Sequence, residues 1–267
     1  MKKIFYLFIL SAFSSAVFAG DGDMKNFRFG VTGLGSLMWY KPDDLKKFDK
    51  KGGNVLRGGA MINAEYSSAT GRFALGFGIG IGTLGGKINF LDSVHYYFVD
   101  DAIVRPNDPN INVKPTNHYL LKTREYKATY FHIPISLKMR TNEIGYMRYF
   151  AEPRLNIGIK KKVRANDEVL AWGSSGSTVT NPNVDITDDM ANLRMSFTIS
   201  GGAEYYLSGS TAVVFTIGYD LGLSNSVQGT SDYLLRTKGD YTVASNTNLL
   251  DQKFAQNAVT LSVGILF

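Results

Sequence analysis

The segment from Asn257 to Phe267 alternates strictly between bulky apolar side chains and small or polar ones. A period of two is typical of a β-strand with one apolar face and one mostly polar face. The bulky set is Val259, Leu261, Val263, Ile265 and Phe267. A final strand of this kind predicts a β-barrel that closes its last strand against its first and turns the apolar face to lipid.

The same alternation recurs in seven earlier segments. They cover about residues 26–40, 55–66, 72–84, 126–140, 149–160, 193–207 and 212–224. Short connections near residues 67–70, 142–145 and 208–210 alternate with long polar ones. We therefore predict an all-β fold, a transmembrane antiparallel up-and-down β-barrel of about eight strands. Short periplasmic turns and long extracellular loops are expected, with both termini periplasmic because the strand number is even.

The first residues resemble a secretory signal. Lys2 and Lys3 precede an apolar run from Ile4 to Phe13, and small residues follow up to Ala19. The run is shorter than the roughly 20 residues that a membrane-spanning helix needs, which disfavours an anchor. We predict a cleaved signal peptide over residues 1–19 and an outer-membrane β-barrel domain over residues 20–267.

Composition narrows the classes of partner. The chain has no cysteine, which excludes disulfides, thiolate metal sites and a lipid-modified cysteine. A net charge of +6 spread along the chain does not favour nucleic acid. The expected partners are outer-membrane lipid and other envelope or secretion proteins. A soluble lipocalin-like barrel is the alternative fold, and the difference between the two barrel ends favours the membrane.

The inward faces of the strands carry both acids and bases. An eight-stranded lumen is filled by side chains, so we expect a structural network of ion pairs there. The predicted network is Arg28, Arg57, Glu65, Arg72, Lys138, Glu152, Arg154, Arg194, Glu204 and Asp220. Within it, Glu65 and Arg72 are expected to form a cross-strand pair beside the short turn at residues 67–70.

Two prolines fall inside predicted strands that have no free edge. Pro134 and Pro153 lie at similar distances from the turn near residues 142–145, and neither can donate a ladder hydrogen bond. We predict a bulge or a weakened rung at that level. The simple interpretation is curvature, and the sharper hypothesis is a seam at which a partner or lipid docks.

Motifs for catalysis are weak. Gly80–Gly85 matches the dinucleotide spacing G-x-G-x-x-G, but it lies on an alternating strand with no helix after it. His95 and His118 fall in a predicted loop without ligand spacing, and His132 faces the predicted lumen. We expect no enzyme activity, no cofactor and no metal.

Two neighbouring strands carry a family resemblance. Tyr130–Lys138 (YFHIPISLK), a short turn, and then Arg148–Pro153 (RYFAEP) resemble the PorT-type outer-membrane β-barrel family. That family has an aromatic-x-Ile-Pro-x-x-Leu-Lys strand followed by a strand with a small-residue/Pro step. The resemblance implies an integral outer-membrane protein, in some members an accessory to type IX protein secretion.

Three functions remain open on the sequence. The leading one is a non-enzymatic barrel that anchors extracellular loops or serves a secretion or assembly machine. The second is a small-solute, porin-like channel, which needs a continuous wet path through the lumen. The third is an outer-membrane enzyme that modifies lipid or cleaves protein.

Overall fold

The structure is a computed structural model that describes residues 26–43, 52–99, 102–103, 117–171, 178–235 and 249–267. The predicted signal peptide lies outside these residues. The strands are β1 (Phe27–Pro42), β2 (Val55–Ser67), β3 (Phe73–Val99), β4 (Ala102–Ile103), β5 (Asn117–Arg140), β6 (Met147–Ala171), β7 (Val179–Asp185), β8 (Leu193–Ser208), β9 (Thr211–Gly222), β10 (Asn225–Leu235) and β11 (Leu249–Leu266). A short 3-10 turn covers Thr187–Asp189. Among the described residues, no helix is long and apolar enough to cross a bilayer.

Eight of these strands form a closed antiparallel ring. Its order is β1-β2-β3-β5-β6-β8-β9-β11, and β11 pairs with β1 from Gly30 opposite Leu266 to Pro42 opposite Phe254. Closure leaves the ring without a free edge, which a barrel in hydrocarbon requires. The predicted eight-stranded up-and-down barrel is confirmed.

The ring has two different ends. At the short-turn end, β2–β3, β5–β6 and β8–β9 are joined by tight connections. Each of these three turns contains a glycine with positive φ, namely Gly71, Gly145 and Gly209. A left-handed residue strains other side chains but not glycine, so these positions fix the turns.

At the opposite end, which we call the extended end, the strands are longer than the sequence predicted. β3 has 27 residues, β5 has 24 and β6 has 25, where about 9–11 suffice to cross a bilayer. The short strand β4 pairs with the extension of β3 and β7 with that of β6, whereas β10 pairs mainly with β11 and meets β3 at one residue pair. The sequence predicted long polar loops at about residues 90–117, 163–190 and 225–256. Strands occupy much of the described part of these ranges, so the prediction is wrong there, and residues 100–101, 104–116, 172–177 and 236–248 lie outside the described residues. His95 and His118, expected in a loop, lie in β3 and β5.

The outer wall of the ring carries an apolar belt. Outward side chains such as Leu75, Ile199 and Leu261 are 56%, 64% and 61% exposed. Inward positions of the same strands are mostly polar or small. The large buried apolar cluster lies at the extended end, and a small one of Phe150, Val214 and Leu266 lies near the short-turn end. Apolar side chains turned outward cannot be stable against water, so they identify a surface that contacts hydrocarbon.

The lumen as candidate functional site

The short-turn mouth of the lumen is closed by a cluster of charges. We call it the mouth network, and its members are Arg28, Glu65, Lys138, Arg140 and Glu204. Glu65 accepts hydrogen bonds from Arg28 Nε at 2.6 Å and Lys138 Nζ at 2.9 Å, and it also pairs with Arg140. Strand register explains one contact directly, because Arg28 stands opposite Glu65 in the β1–β2 ladder.

Glu204 holds the same three cations from the other side. Its carboxylate lies 2.9 Å from Arg28 Nη2, 3.1 Å from Lys138 Nζ and 2.9 Å from Arg140 Nε. The Tyr206 hydroxyl donates a further bond to Glu204 at 3.0 Å. Two carboxylates therefore share three cations, and the network joins β1, β2, β5 and β8 across the lumen. Buried charges of this kind are tolerated because each is paired.

A second pair lies next to the mouth network. Arg154 Nη2 donates to Glu152 Oε1 at 2.8 Å, and both residues lie on the inward face of β6. A cavity of about 50 Å³ separates this pair from β1, β3 and β11. A cavity of that size has room for a few water molecules.

A third cluster lies at mid-lumen and is centred on Arg194 and Asp220. Arg194 Nη2 is 2.7 Å from Asp220 Oδ2, and its Nη1 donates to Ser196 Oγ at 2.9 Å. Thr198, which stands opposite Asp220 in the β8–β9 ladder, donates to it at 2.7 Å. His132 lines an adjoining cavity of about 80 Å³ together with Arg194 and Asp220.

Small residues of β3 make room for these inward side chains. A Cβ on Gly82 would lie 3.2 Å from His132 Nε2, and one on Gly78 would lie 3.1 Å from Asn63 Oδ1. From the sequence we expect the inner glycines of this strand to leave space for long arginine and tyrosine side chains, and the Tyr40 ring does lie against Gly86. The side chains that take the space at Gly78 and Gly82 are shorter ones from the neighbouring strands.

Two residues of the predicted network lie elsewhere. Arg57 leaves the lumen at the extended end and pairs with Glu125 at 2.5 Å. Arg72 is exposed in the turn before β3, and among the described residues it forms no ion pair. The predicted pair between Glu65 and Arg72 is wrong. The turn extends to Arg72, with Ser68 N bonded to Phe73 O at 2.7 Å, so Glu65 stands opposite Gly76.

The prolines interrupt the ladders without shifting them. Pro134 pairs with β6, but on its β3 side the pairing skips from Ile135 to His132. Pro153 pairs with β8, but on its β5 side the pairing skips from Arg154 to Ala151. The register is unchanged across both gaps, so the wall has weakened rungs here and no bulge. Docking of a partner or lipid at this seam stays a prediction.

The extended end of the lumen is filled by an apolar core. Its members include Tyr40, Ile88, Leu121, Tyr126 and Phe254, all 0–1% exposed. The rings of Tyr40 and Tyr126 pack edge to face with centroids 5.2 Å apart. Burial raises the pKa of the Tyr126 phenol, so it stays protonated and donates to Gln252 Oε1 at 3.0 Å.

One charged pair is enclosed in this apolar core. Arg124 donates to Asp167 through Nε at 2.7 Å and Nη2 at 2.8 Å, and both side chains are 0% exposed. Asp189 lies 3.6 Å from Arg124 Nη1. Arg124, Asp167 and Glu125 are not among the residues of the predicted network. Continuing the inward alternation from Tyr126 to Arg124 would have found the first of them.

No metal site accompanies these charges in the part of the chain that the structure describes. There, no group of three or more histidine, aspartate or glutamate side chains could hold a metal ion.

The closed antiparallel ring, the apolar outer belt and the polar interior define a transmembrane β-barrel. The sequence profile of the outer membrane protein beta-barrel domain matches residues 25–228, and the chain belongs to that family of the bacterial outer membrane. This match does not distinguish the PorT-type barrels from other members of the family.

Solved structures of other outer-membrane proteins are similar to this chain. Neisserial surface protein A is 9% identical, with 89% of this chain and 96% of that chain covered and a TM-score of 0.37. Ail of Yersinia pestis is 10% identical, with 91% and 99% covered and a TM-score of 0.32. The outer membrane protease OmpT of Escherichia coli is 10% identical, with 94% and 99% covered and a TM-score of 0.32. No curated protein matches the chain significantly.

Proposed function

We propose that this protein is a non-enzymatic, non-conducting outer-membrane barrel that serves a secretion or assembly machine as an accessory. The resemblance of Tyr130–Lys138 and Arg148–Pro153 to the PorT-type barrels supports the accessory role. The extended end faces outward and both termini face the periplasm. The observation that carries the proposal is the closure of the lumen at two levels, by the mouth network and by the apolar core.

Closure at two levels supports a structural role over conduction. A solute would have to displace three cations held by two carboxylates and then cross an apolar core whose central side chains are inaccessible. Breaking a buried pair costs about 3–5 kcal/mol, which makes a transient opening rare. The charged side chains of the lumen are also committed to one another, which leaves them poorly available for acid–base chemistry.

Planar-bilayer conductance tests the closed lumen. We expect the wild type to give no steady open level, and the same for Arg28→Ser/Arg140→Ser and for Tyr126→Ala/Phe254→Ala. Each double variant removes only one of the two closures, either the mouth network or the apolar core. The combined fourfold variant, checked for folding by its heat-dependent gel mobility, should give steady openings. A steady open level in the wild type would refute the closed barrel and favour the channel.

Accessibility of single cysteines tests the orientation, because the chain has no cysteine of its own. Val179 in β7 is 55% exposed at the extended end, and Tyr146 is 71% exposed at the short-turn end. In intact cells, a membrane-impermeant maleimide should label Val179→Cys and should reach Tyr146→Cys only after the outer membrane is permeabilised. The reverse pattern would contradict the orientation.

Site-specific photocross-linking in cells tests the accessory role. A photoreactive residue at Tyr146 or Val179 should yield adducts with a secretion or assembly component, and one at Leu261 in the apolar belt should not. A strain lacking the protein should export fewer proteins. Unchanged export together with no protein adduct at either end would rule the role out.

A further inference from the structure

The outer wall of β5 and β6 changes character where the apolar belt ends. Phe131 and Ile159, each 46% exposed, stand opposite one another in the β5–β6 ladder as its last apolar rung. On the next step the register shifts, with Tyr130 opposite Lys160 but Thr129 opposite Lys162. Lys161 is therefore the extra residue of a β-bulge.

This bulge puts two consecutive lysines on the same face. Lys160 points inward, where its Nζ donates to the carbonyls of Thr187 and Met190 at 2.5 and 2.7 Å. Val163 is again buried, so Lys161 and Lys162 between them both turn outward and are exposed. Lys161 Nζ lies 5.4 Å from the centroid of the Phe131 ring, directly at the edge of the belt.

A third lysine extends this surface away from the belt. Lys127 is exposed on β5 opposite Arg164. It is four residues beyond Phe131, which is about 13 Å along the strand and about 9 Å in height at a tilt of about 45°. Lys127, Lys161 and Lys162, which we call the basic patch, therefore lie at the level of lipid headgroups.

The nearby acids are engaged by other residues. Asp185 pairs with Arg164 at 2.9 Å, Glu125 pairs with Arg57, and Glu168 pairs with Lys87 at 3.3 Å. Within the described part of the chain, no acid lies within ion-pair distance of Lys127, Lys161 or Lys162. Asp185 also attracts Lys162 from beyond ion-pair distance, but the three lysines outnumber it and repel one another, so an anion at this position would offset that repulsion.

We propose that the basic patch binds the phosphate group of a membrane lipid whose acyl chains pack along Phe131 and Ile159. The occupant follows from charge complementarity and from continuity with the belt, since one lipid can contact both surfaces. Lysine stems extend from apolar surface to place their ammonium groups in the headgroup layer. Lys41 and Lys253 lie on the opposite wall, in the β1–β11 ladder. Asp43 N donates to Lys253 O there at 3.0 Å, and this acidic residue beside the two lysines makes that wall a weaker site for an anion.

Native mass spectrometry of the full-length protein in detergent tests this proposal, with bisphosphorylated lipid A as the probe. We expect Lys161→Gln/Lys162→Gln to bind the probe about thirtyfold more weakly than the wild type, since each basic residue near an anionic surface contributes about a factor of five. The matched control Lys41→Gln/Lys253→Gln removes two lysines from the same end and should bind like the wild type. Dephosphorylated lipid A should bind the wild type and the Lys161→Gln/Lys162→Gln variant equally weakly.

Three results would overturn the proposal. Equal losses in the two double variants would mean a general charge effect, and no loss in either would mean binding through the acyl chains alone. Displacement of the lipid by millimolar inorganic phosphate would identify a site for free phosphate instead. Gel mobility of the unheated variants reports whether each of them is folded.

Discussion

The two halves of the barrel place polar and apolar side chains on opposite faces of the same strands. In the belt, the inward side of β5 carries Lys138, Ser136 and His132, and beyond the belt the same inward side carries Tyr130, Ala128 and Tyr126. The outward side changes in the opposite sense, from Leu137 and Phe131 to Thr129 and Lys127. Both faces invert at residues 130–132.

The inversion follows from the medium outside the wall. Where hydrocarbon covers the outer face, apolar side chains are stable there and the interior holds mainly paired charges and small residues, with one small apolar cluster of Phe150, Val214 and Leu266. Where water covers the outer face, the interior becomes an ordinary apolar core. The extended end is therefore a water-soluble barrel joined without a break to a membrane-spanning one.

The largest expected effect comes from a charge inside the apolar half. Arg124→Met leaves Asp167 without its bidentate partner at a site that is 0% exposed. The free energy of unfolding, measured by urea titration of the protein in lipid vesicles, should fall by about 3–5 kcal/mol. Arg164→Met removes a neighbouring partly exposed pair and should cost about 0.5 kcal/mol. Equal losses in the free energy of unfolding would mean that the apolar core does not shield the Arg124–Asp167 pair from solvent.

The mouth network should lose less stability than the apolar core when one charged partner is removed. Glu204→Gln keeps the size of the side chain but removes one of the two carboxylates that hold Arg28, Lys138 and Arg140. Glu65 remains to neutralise the cations, so the same titration should show a loss of about 2–3 kcal/mol. Glu143→Gln in the exposed turn should change stability by less than about 0.5 kcal/mol. A loss above that of Arg124→Met would reverse the ranking of the two halves.

Removing one methyl group separates the two kinds of apolar surface. Ile88→Val acts in the core of the extended end, where Ile88 is 0% exposed, and should cost about 1 kcal/mol. Ile199→Val acts on the belt, where the side chain is 64% exposed to the surrounding medium, and lipid can refill the space. We expect its effect to be below about 0.3 kcal/mol, well under the cost of a core cavity. Similar losses would show that the belt packs against protein.

The sequence predicted the belt well because alternation there is strong and has one sign. The eight transmembrane strands, the three short turns and the closure of the last strand on the first followed from it. The extension of β5 over residues 117–125 was missed because, once the apolar face has moved inward at residues 130–132, the outward face is polar and the segment looks like a polar loop. Lys127, Glu125 and Thr123 face outward, and the buried residues between them give no long apolar run.

The candidate site was predictable in direction but not in partners. Parity alone put Glu65 and Glu204 inward, and Arg140 follows from Lys138 by the same rule. Which cation meets which acid depends on register and on how the ring closes, and one turn longer than expected moved Arg72 away from Glu65. The bulge at Lys161 has no sequence signal, because it appears only when β5 and β6 are paired.

The smallest expected effect concerns the rungs that the prolines remove in the belt. Pro134→Ala restores an N–H that faces β3 at the gap between Ile135 and His132. A new ladder bond contributes about 1 kcal/mol, but the more flexible unfolded chain offsets about 0.4–1 kcal/mol, so stability should change little. Hydrogen exchange of individual amides shows whether the new ladder bond forms even when the free energy of unfolding is unchanged.

In that measurement, the new amide at residue 134 should be protected and exchange at Gly78 and Ile79 should slow. Pro153→Ala provides the matched control, since its new N–H faces β5 and should slow exchange at Leu137 and Lys138 instead. If the amide at 134 exchanges as fast as an exposed turn, the wall is splayed there by something other than the missing donor. The glycines of β3 opposite it would be the next cause to test, because they leave that strand with few side-chain contacts to hold it against β5.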